Sequence, residues 1–300
     1  MNNKPFTIII CTYNGGARIG RVLDKILSQD SLEKLIYQIL VVDNNSNDNT
    51  KEVINRYASN SSLVNYVFEK QPGVSYARKT GVQKTETEWI IFLDDDNYIT
   101  PHWLESMNDY RLRNERVGVY NGAVIPSLEF ENTEDYNRRL ESSYKVLACT
   151  HLDEKELQNK PDTPFRNPIG AGMTIRTLPL KQLIEKGWLS ASGRTKDNLA
   201  SGEDGEMAYW VKKQGYQFGF CKDAILYHGI PQARLEDEYL TRMWYEIGKG
   251  VVIVLKKQDK FCVIRYLYLL MKRIQSSLLS KNSYKKKYLE IYLKGYKDEL

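Results

Sequence analysis

Short apolar runs alternate with amphipathic stretches along the first hundred residues. Residues 6–10 form an apolar, β-branched run, which predicts a buried strand. Apolar side chains then recur at the spacing of a half-buried helix at Ile19, Val22, Leu23, Ile26 and Leu27. Further strands are predicted at 39–42, 64–68 and 89–93, with helices around 53–57 and over 75–83. This alternation predicts an α/β fold with a mostly parallel, twisted sheet flanked by helices.

The regular alternation stops after Val124. Residues 129–168 are polar and charged, which indicates an insertion, although 136–147 could be helical. Residues 170–175 predict a glycine-led strand, where Gly172 would let a ligand approach closely, and a helix opens at 201–204. From Leu235 onward the pattern is helical, basic and rich in tyrosine. We therefore expect an α/β domain over residues 1–235 and a basic helical region over 236–300.

Composition indicates an ordinary globular chain of 300 residues, with 42% hydrophobic and 27% charged positions. The net charge of +5 belongs to the tail, because residues 256–300 carry 12 Lys/Arg against 4 Asp/Glu. No apolar stretch approaches the roughly 20 residues of a membrane span, and the first residues begin no signal peptide. We expect a cytoplasmic protein and interpret the C-terminal Lys-Asp-Glu-Leu as coincidental. Four scattered cysteines without a C-x-x-C pair predict reduced, structural thiols.

Three consecutive aspartates, Asp94, Asp95 and Asp96, follow the apolar strand at 89–93. Like charges this close repel unless a cation gathers them, and carboxylate oxygens suit Mg²⁺ or Mn²⁺. In extended backbone Asp94 and Asp96 would point the same way and Asp95 elsewhere. Thr12, Tyr13 and Asn14 end the first strand and Asp43 ends the second. The carboxyl ends of parallel strands share one sheet edge, which predicts a single site there.

Residues 15–21 follow a strand and open a helix, which is the place of a phosphate-binding loop. Their glycine spacing lacks the Lys-Ser/Thr of a P-loop and the G-x-G-x-x-G of a dinucleotide site. We interpret them as a tight strand-to-helix turn.

An ordered set of motifs spans roughly residues 5–230. It consists of Cys-Thr-Tyr-Asn at 11–14, the Asn-rich segment 43–50, Gly-Val-Ser-Tyr-Ala-Arg at 73–78, the aspartates 94–96, and Gly-Glu-Asp at 202–204. This set resembles the glycosyltransferase family 2 enzymes, which have the GT-A fold. The resemblance implies a glycosyltransferase and leaves the sugar and acceptor open.

The resemblance also implies roles for individual residues. The segment Thr12 to Asn14 and Asp43 would hold the nucleotide base, and Arg78 would lie by the nucleotide. A carboxylate can accept the N3–H of uracil, which favours UDP, and a guanidinium can pair with diphosphate. The aspartates match the family's D-x-D motif: Asp94 would lie by the ribose and metal, and Asp96 would ligate the Mg²⁺ or Mn²⁺ that bridges to the diphosphate. The family often has Asn after the Arg, where this chain has Lys79.

Glu203 and Asp204 match the family's E-D motif, in which the aspartate is the general base of inverting enzymes. The alternative is that both acids complement the dipole of the helix they open. His228 follows a strand predicted over 224–226. Some members place a metal ligand at the position of His228, although a lone histidine is more often structural. Trp244 could sit near the acceptor or pack in the core, and packing in the core is favoured. The Q-x-x-R-W signature of processive synthases is absent, so we expect one transfer per acceptor.

The expected partners are a nucleoside-diphosphate sugar and a glycan or lipid-linked acceptor, with a role in cell-surface polysaccharide synthesis. The basic tail suits either an anionic membrane surface or a solvated helical face. No RNA-binding motif accompanies it, so no nucleic-acid partner is expected. Two alternatives remain: a catalytically silent nucleotide-sugar-binding protein, and a sugar nucleotidyltransferase, for which residues 11–20 lack the required basic, glycine-rich loop.

Overall fold

A computed structural model describes residues 4–159, 168–189, 193–195, 199–256, 269, 271–272, 279 and 283–299. Within these residues one mixed sheet has the strand order β3-β2-β1-β4-β7-β6-β8-β5. The strands are β1 Phe6–Thr12, β2 Ile36–Asp43, β3 Val64–Phe68, β4 Trp89–Asp94, β5 Asn97–Ile99, β6 Val117–Leu128, β7 Met173–Arg176 and β8 Gln217–Ile230. Four of the seven pairings in this described sheet are parallel, and the pairings of β4 with β7, β6 with β7 and β5 with β8 are antiparallel.

Helices cover both faces of the sheet. They are α1 Ile19–Leu27, α2 Leu32–Leu35, α3 Thr50–Asn60, α4 Val74–Gln83, α5 Trp103–Arg113, α6 Glu134–Ser143, α7 Glu154–Asn159, α8 Thr177–Glu185, α9 Glu203–Lys213, α10 Asp237–Lys256 and α11 Tyr284–Asp298, with a 3₁₀ helix at Gln232–Leu235. Across the described parts of the chain, no helix is both long and apolar enough to cross a bilayer.

The continuous apolar runs of β1 and β4 follow from burial on both sheet faces. In β1, Ile8 and Ile10 belong to one buried cluster and Ile9 to the other. In β4, Ile91 and Phe92 alternate in the same way. Because neighbouring side chains point to opposite faces, a strand between two helical layers needs apolar residues at every position.

A third cluster joins the C-terminal helices to α6. Trp244 on α10 stacks on Tyr288 of α11, with 6.1 Å between ring centroids, and donates its indole N–H to Ser143 Oγ at 3.1 Å. A Cβ on Gly248 would overlap the backbone of Tyr292, so α10 and α11 pack closely. Trp244 is thus half-buried and packs against this cluster.

Several predicted boundaries differ from the structure. The helix expected over 136–147 is α6, and it ends at Ser143. The strand expected over 170–175 begins only at Met173, after a turn at residues 170–172. The strand expected over 224–226 is the middle of the 14-residue β8, whose first half carries polar, exposed positions. Residues 160–167 of the predicted insertion and much of the predicted tail helix lie outside the described residues.

Candidate functional site

A cavity of about 710 Å³ opens at the carboxyl ends of β1, β2 and β4. Its wall is formed by segments that follow these strands, by the start of α4 and by the start of α9. The lining comprises residues 11–13, 44–47, 72–74, 77–78, 94–96, 170–171, 194–195 and 203–204, with Arg18, Ala148, His228 and Arg234. Residues far apart in sequence therefore meet at one sheet edge, as the strand pattern predicts.

Asp95 directly follows β4, and its side chain is hydrogen-bonded to residues at and just after the end of β1. It accepts hydrogen bonds from Thr12 Oγ1 at 2.6 Å and from Arg18 Nη2 at 2.8 Å. A Cβ on Gly15 would overlap the Thr12 hydroxyl, so this turn requires glycine. Burial and the neighbouring Asp96 raise the pKa of Asp95, and Arg18 opposes the shift. Asp95 thus has partners different from those of Asp96, and all three aspartates line the cavity. The extended strand ends at Asp94, and Asp95 and Asp96 lie in a turn, so the alternation expected of an extended backbone does not continue through them.

Asp96 lies between two basic side chains. His228 Nε2 is 3.2 Å from Oδ1 and Arg234 Nη2 is 2.8 Å from Oδ2, and the Asn97 amide also donates to Oδ1. Burial alone would raise the pKa of Asp96, but His228 and Arg234 outweigh it and hold the pKa well below its usual range. Burial would lower the pKa of His228, but the Asp96 carboxylate outweighs burial and raises the pKa of His228 to about 10. At neutral pH both neighbours of Asp96 are therefore cations.

Asp94 ends β4 with its side chain about a third exposed to the cavity. Desolvation and the nearby Asp96 raise the pKa of Asp94, while Arg78, at 4.0 Å, opposes the shift. Two close carboxylates are the donor type that Mg²⁺ and Mn²⁺ prefer, so Asp94 and Asp96 fit such an ion in chemistry. In the described part of the chain, however, no three His, Cys, Asp or Glu side chains are grouped to hold a metal.

Arg78 connects the E-D motif to the acidic strand end. Its side chain is only 4% exposed and pairs with Asp204 through a short ion pair, with Glu203 at 3.2 Å and with Asp94 at 4.0 Å. The ring of Phe92 packs under the guanidinium, 5.4 Å from its centre. These three carboxylates outweigh the effect of burial and raise the pKa of Arg78, so it stays charged.

Asp204 is fixed at both oxygens and still reaches the cavity. Oδ1 pairs with Arg78, Oδ2 accepts the backbone N–H of Gly170 at 2.8 Å, and the side chain is 27% exposed. A Cβ on Gly170 would lie 2.6 Å from Arg78 Nη2 and 2.8 Å from Asp204 Oδ2, so only glycine fits there. The carboxylate is consequently held in one orientation and accessible.

Glu203 is the buried partner in this cluster. Desolvation and the adjacent Asp204 raise the pKa of Glu203 to about 7, against the opposing charges of Arg78 and Arg194. Its Oε2 atom is buried and has no hydrogen-bond partner within the residues described. The preceding Gly202 has a φ of +117°, and a Cβ on it would lie 3.0 Å from the carbonyl oxygen of Gly250 on α10. The backbone just before the E-D motif therefore packs directly against the C-terminal helix α10.

Asp43, the predicted base ligand, is buried and does not line the cavity, whereas residues 44–47 do. It accepts the backbone N–H of Ser46 and the hydroxyl of Tyr66, each at 2.9 Å. Burial and this bond raise the pKa of Tyr66 to about 12. Asn14 bridges the two loops, because its N–H donates to Ser46 Oγ and its Oδ1 accepts the N–H of Asn47.

The remaining predicted residues are divided between the cavity and the core. Thr12, Tyr13, Arg78 and His228 line the cavity. Gly172 does not: a Cβ built on it faces Leu226 and Trp103 in the core, and the neighbouring Gly170 lines the cavity instead.

Three arginines of the cavity wall, Arg18, Arg194 and Arg234, were not predicted. The available signal for Arg18 was a basic residue in the loop between β1 and α1. Arg234 follows His228 by six residues without any motif, so only the fold identifies it.

The α/β sheet with a cavity at the carboxyl ends of its strands is a GT-A-like fold. The family model of glycosyl transferase family 2 matches residues 7–181, and this chain belongs to that family. Its relatives include glycosyltransferase AglE of Haloferax volcanii, 27% identical over 257 residues, which cover 83% of this chain and 74% of that protein. Poly(ribitol-phosphate) beta-N-acetylglucosaminyltransferase TarP of Staphylococcus aureus is 30% identical over 176 residues, 54% of this chain and 53% of TarP.

A solved structure supports the fold. The crystal structure of S. aureus TarS in complex with UDP-GlcNAc superposes with a TM-score of 0.58 at 17% identity, over 85% of this chain and 67% of that chain. The predicted family and fold class are confirmed, and the chain is a glycosyltransferase whose family members transfer sugars from nucleotide sugars.

Proposed function

We propose that this chain is an inverting, metal-dependent glycosyltransferase that moves one sugar from a nucleoside-diphosphate sugar, preferably of UDP, to a hydroxyl of a glycan or lipid-linked acceptor. The observation that carries the proposal is the cavity in which Asp204 and the acidic strand end face the same space, linked by Arg78. The association of TarS with UDP-GlcNAc supports a uridine donor.

Asp204 is the proposed general base. With both oxygens held by Arg78 and Gly170, the carboxylate keeps lone pairs directed at the cavity. There it would take the proton of the acceptor hydroxyl as that oxygen attacks the anomeric carbon opposite the diphosphate. Such assistance contributes typically about 10²–10⁴-fold to the rate. Arg78 holds the base in one orientation, which is a positioning role.

This assignment changes the proposed role of Arg78. Three carboxylates surround its guanidinium, and its side chain is almost fully buried, so little of it can reach a diphosphate. Thr12, Tyr13 and the loop 44–47 line the cavity and would contact the nucleotide base. Asp43 would act through its orientation by Tyr66 and Ser46.

We assign Asp94 and Asp96 as the residues that would hold Mg²⁺ or Mn²⁺, with His228 as a further candidate. When bound, the ion supplies positive charge to the departing diphosphate. His228 would first have to lose its proton, because a protonated imidazole has no lone pair for a metal.

The acceptor is proposed from relatives and from charge. TarP is a poly(ribitol-phosphate) transferase, and a Haloferax relative, 22% identical over 273 residues, is a glucosyl-dolichyl phosphate glucuronosyltransferase. Both acceptors are anionic, which suits a role in cell-surface polysaccharide synthesis. We propose residues 1–235 as the donor-binding part and residues 236–300 as the part that meets the acceptor or an anionic membrane surface.

The variant Asp204→Asn tests the proposal. It should lower transfer from UDP-sugars by at least about 100-fold, the lower range for a general base, while the affinity for UDP changes little. Transfer is measured as UDP release in the presence of Mn²⁺, and UDP affinity by calorimetry. Asp30→Asn, a change at an exposed aspartate outside the cavity, is the matched control and should leave both unchanged.

Near-normal turnover of Asp204→Asn would refute the base assignment. A wild-type chain that binds UDP-sugars but neither transfers nor hydrolyses them would instead identify a catalytically silent binding protein.

A further inference from the structure

Arg234 lies where two of the three candidate ligands of a metal ion, Asp96 and His228, meet. It lies in the 3₁₀ helix that follows β8, and its guanidinium contacts Asp96 Oδ2 at 2.8 Å and His228 Nε2 at 3.0 Å. Its side chain is 27% exposed and lines the cavity, whereas that of Asp96 is almost fully buried. A cation that binds Asp96 from the cavity side therefore meets Arg234 first.

Two other arginines of the wall, Arg78 and Arg18, are less available to a nucleotide-sugar donor. Arg78 is surrounded by three carboxylates, and Arg18 directs both Nε and Nη2 at Asp95. Arg234 pairs with one carboxylate among the described residues, and a guanidinium has five N–H donors. It can thus bind further oxygens without leaving a carboxylate cluster uncompensated.

The corner at Arg234 also holds more hydrogen-bond donors than one carboxylate uses. Arg234 and His228 both contact Asp96, and the nearby Asp94 faces mainly Arg78. A diphosphate group carries several acceptor oxygens that match the planar fork of a guanidinium. Anion binding at this corner would satisfy donors that Asp96 alone does not use.

We propose that Arg234 binds the diphosphate of the nucleotide sugar and, in the absence of nucleotide, competes with the divalent cation for Asp96. The inference rests on the proposed function. In the free protein the guanidinium holds Asp96 Oδ2. When the nucleotide binds, Arg234 shifts to the phosphate oxygens and releases that carboxylate oxygen for the cation. Nucleotide and metal therefore favour each other's binding through one side chain.

Helix α6 positions the segment that carries Arg234. Arg139 donates to the carbonyl oxygen of Leu235 at 3.1 Å, and Tyr136 contacts Gln232 and Glu236 at 2.7 Å each. The 3₁₀ helix is thus anchored on its outer side, while the Arg234 side chain faces the cavity. A shift of the side chain needs no movement of the backbone.

The test measures two affinities of Arg234→Met by calorimetry. Because hydrogen bonds to charged groups are strong, UDP affinity at saturating Mg²⁺ should fall by about 10- to 100-fold. Mn²⁺ affinity without nucleotide should instead rise several-fold, because Asp96 loses its competitor. Arg234→Lys keeps the charge without the fork and should show an intermediate loss of UDP affinity. Arg176→Met, which removes an arginine outside the cavity, is the control and should change neither affinity.

Opposite changes in the two affinities would support the proposal. UDP affinity of Arg234→Met within twofold of wild type, or Mn²⁺ affinity that falls together with UDP affinity, would overturn it. If Arg234→Met fails to fold, Arg234→Lys decides the matter by the same two measurements. A wild-type protein that binds no nucleoside diphosphate would refute the proposed function itself, which is a distinct outcome.

Discussion

Glu203 makes the stability of the fold depend on pH in a direction opposite to that of a typical salt-bridged carboxyl. Burial and Asp204 raise its pKa from an ordinary value of 4.5 to about 7, even with Arg78 beside it. The folded state therefore keeps a proton that the unfolded chain has lost. The stabilisation from this protonated group is complete below pH 4.5 and is lost as the pH rises through 7.

The size of this effect follows from the two pKa values. The gap between 4.5 and about 7 corresponds to about 3 kcal/mol, of which about 2 to 3 kcal/mol falls between pH 5 and pH 8. Glu203→Gln keeps the shape and an oxygen for Arg78 and removes the titration. The free energy of unfolding of this variant should consequently rise relative to wild type by about 2 to 3 kcal/mol over that interval.

Urea unfolding at pH 5, 6.5 and 8 measures this difference directly, with activity recorded separately. Glu33→Gln, at an exposed glutamate, is the control and should keep a constant difference from wild type. If the stabilities of wild type and Glu203→Gln change in parallel from pH 5 to pH 8, the pKa of Glu203 is not raised in the folded protein and the reasoning is wrong.

Three further substitutions test individual contacts. Arg78→Met removes the common partner of three acidic side chains and should lower the free energy of unfolding in urea by about 3–5 kcal/mol. A loss below about 1 kcal/mol would contradict the structure. Gly170→Ala places a Cβ against Arg78 and Asp204, so kcat should fall by at least about tenfold while the UDP affinity measured by calorimetry stays near wild type. An unchanged kcat would show that the general base Asp204 tolerates displacement. Tyr66→Phe removes a hydrogen bond to Asp43, so KM for a uridine donor should rise by about 3- to 10-fold with little change in kcat, and an unaltered KM would remove Asp43 from base recognition.

The sheet was predictable where one local signal dominates. Strand β3 matches its prediction at 64–68, and α1 matches the apolar spacing, because burial on defined faces dictates both patterns. The length of β8 was underestimated, since its first half carries the polar, exposed Gln217, Lys222 and Asp223 and pairs with β6. Such pairing depends on a segment about a hundred residues away and leaves no local trace.

The candidate site shows the same division. The gathering of Thr12 and Asp96 at one cavity could be expected, because motifs at the carboxyl ends of parallel strands converge. Asp204 begins a helix instead, so its place at the cavity was expected only from the family motif. The pairing of each arginine with its carboxylate could not be predicted. Arg78 contacts Asp204 across 126 positions of the chain, and Arg234 contacts Asp96 across 138. The burial of Asp43 behind its own loop likewise depends on Tyr66, which no motif marks.

The contact of Gly202 with Gly250 has a practical consequence for shortening the chain. A protein that stops at residue 235 would expose the backbone on which the loop before Glu203 rests, and it would also lose the aromatic packing of Trp244. The C-terminal helices thus serve as a buttress for the E-D motif, and a minimal active fragment has to include α10.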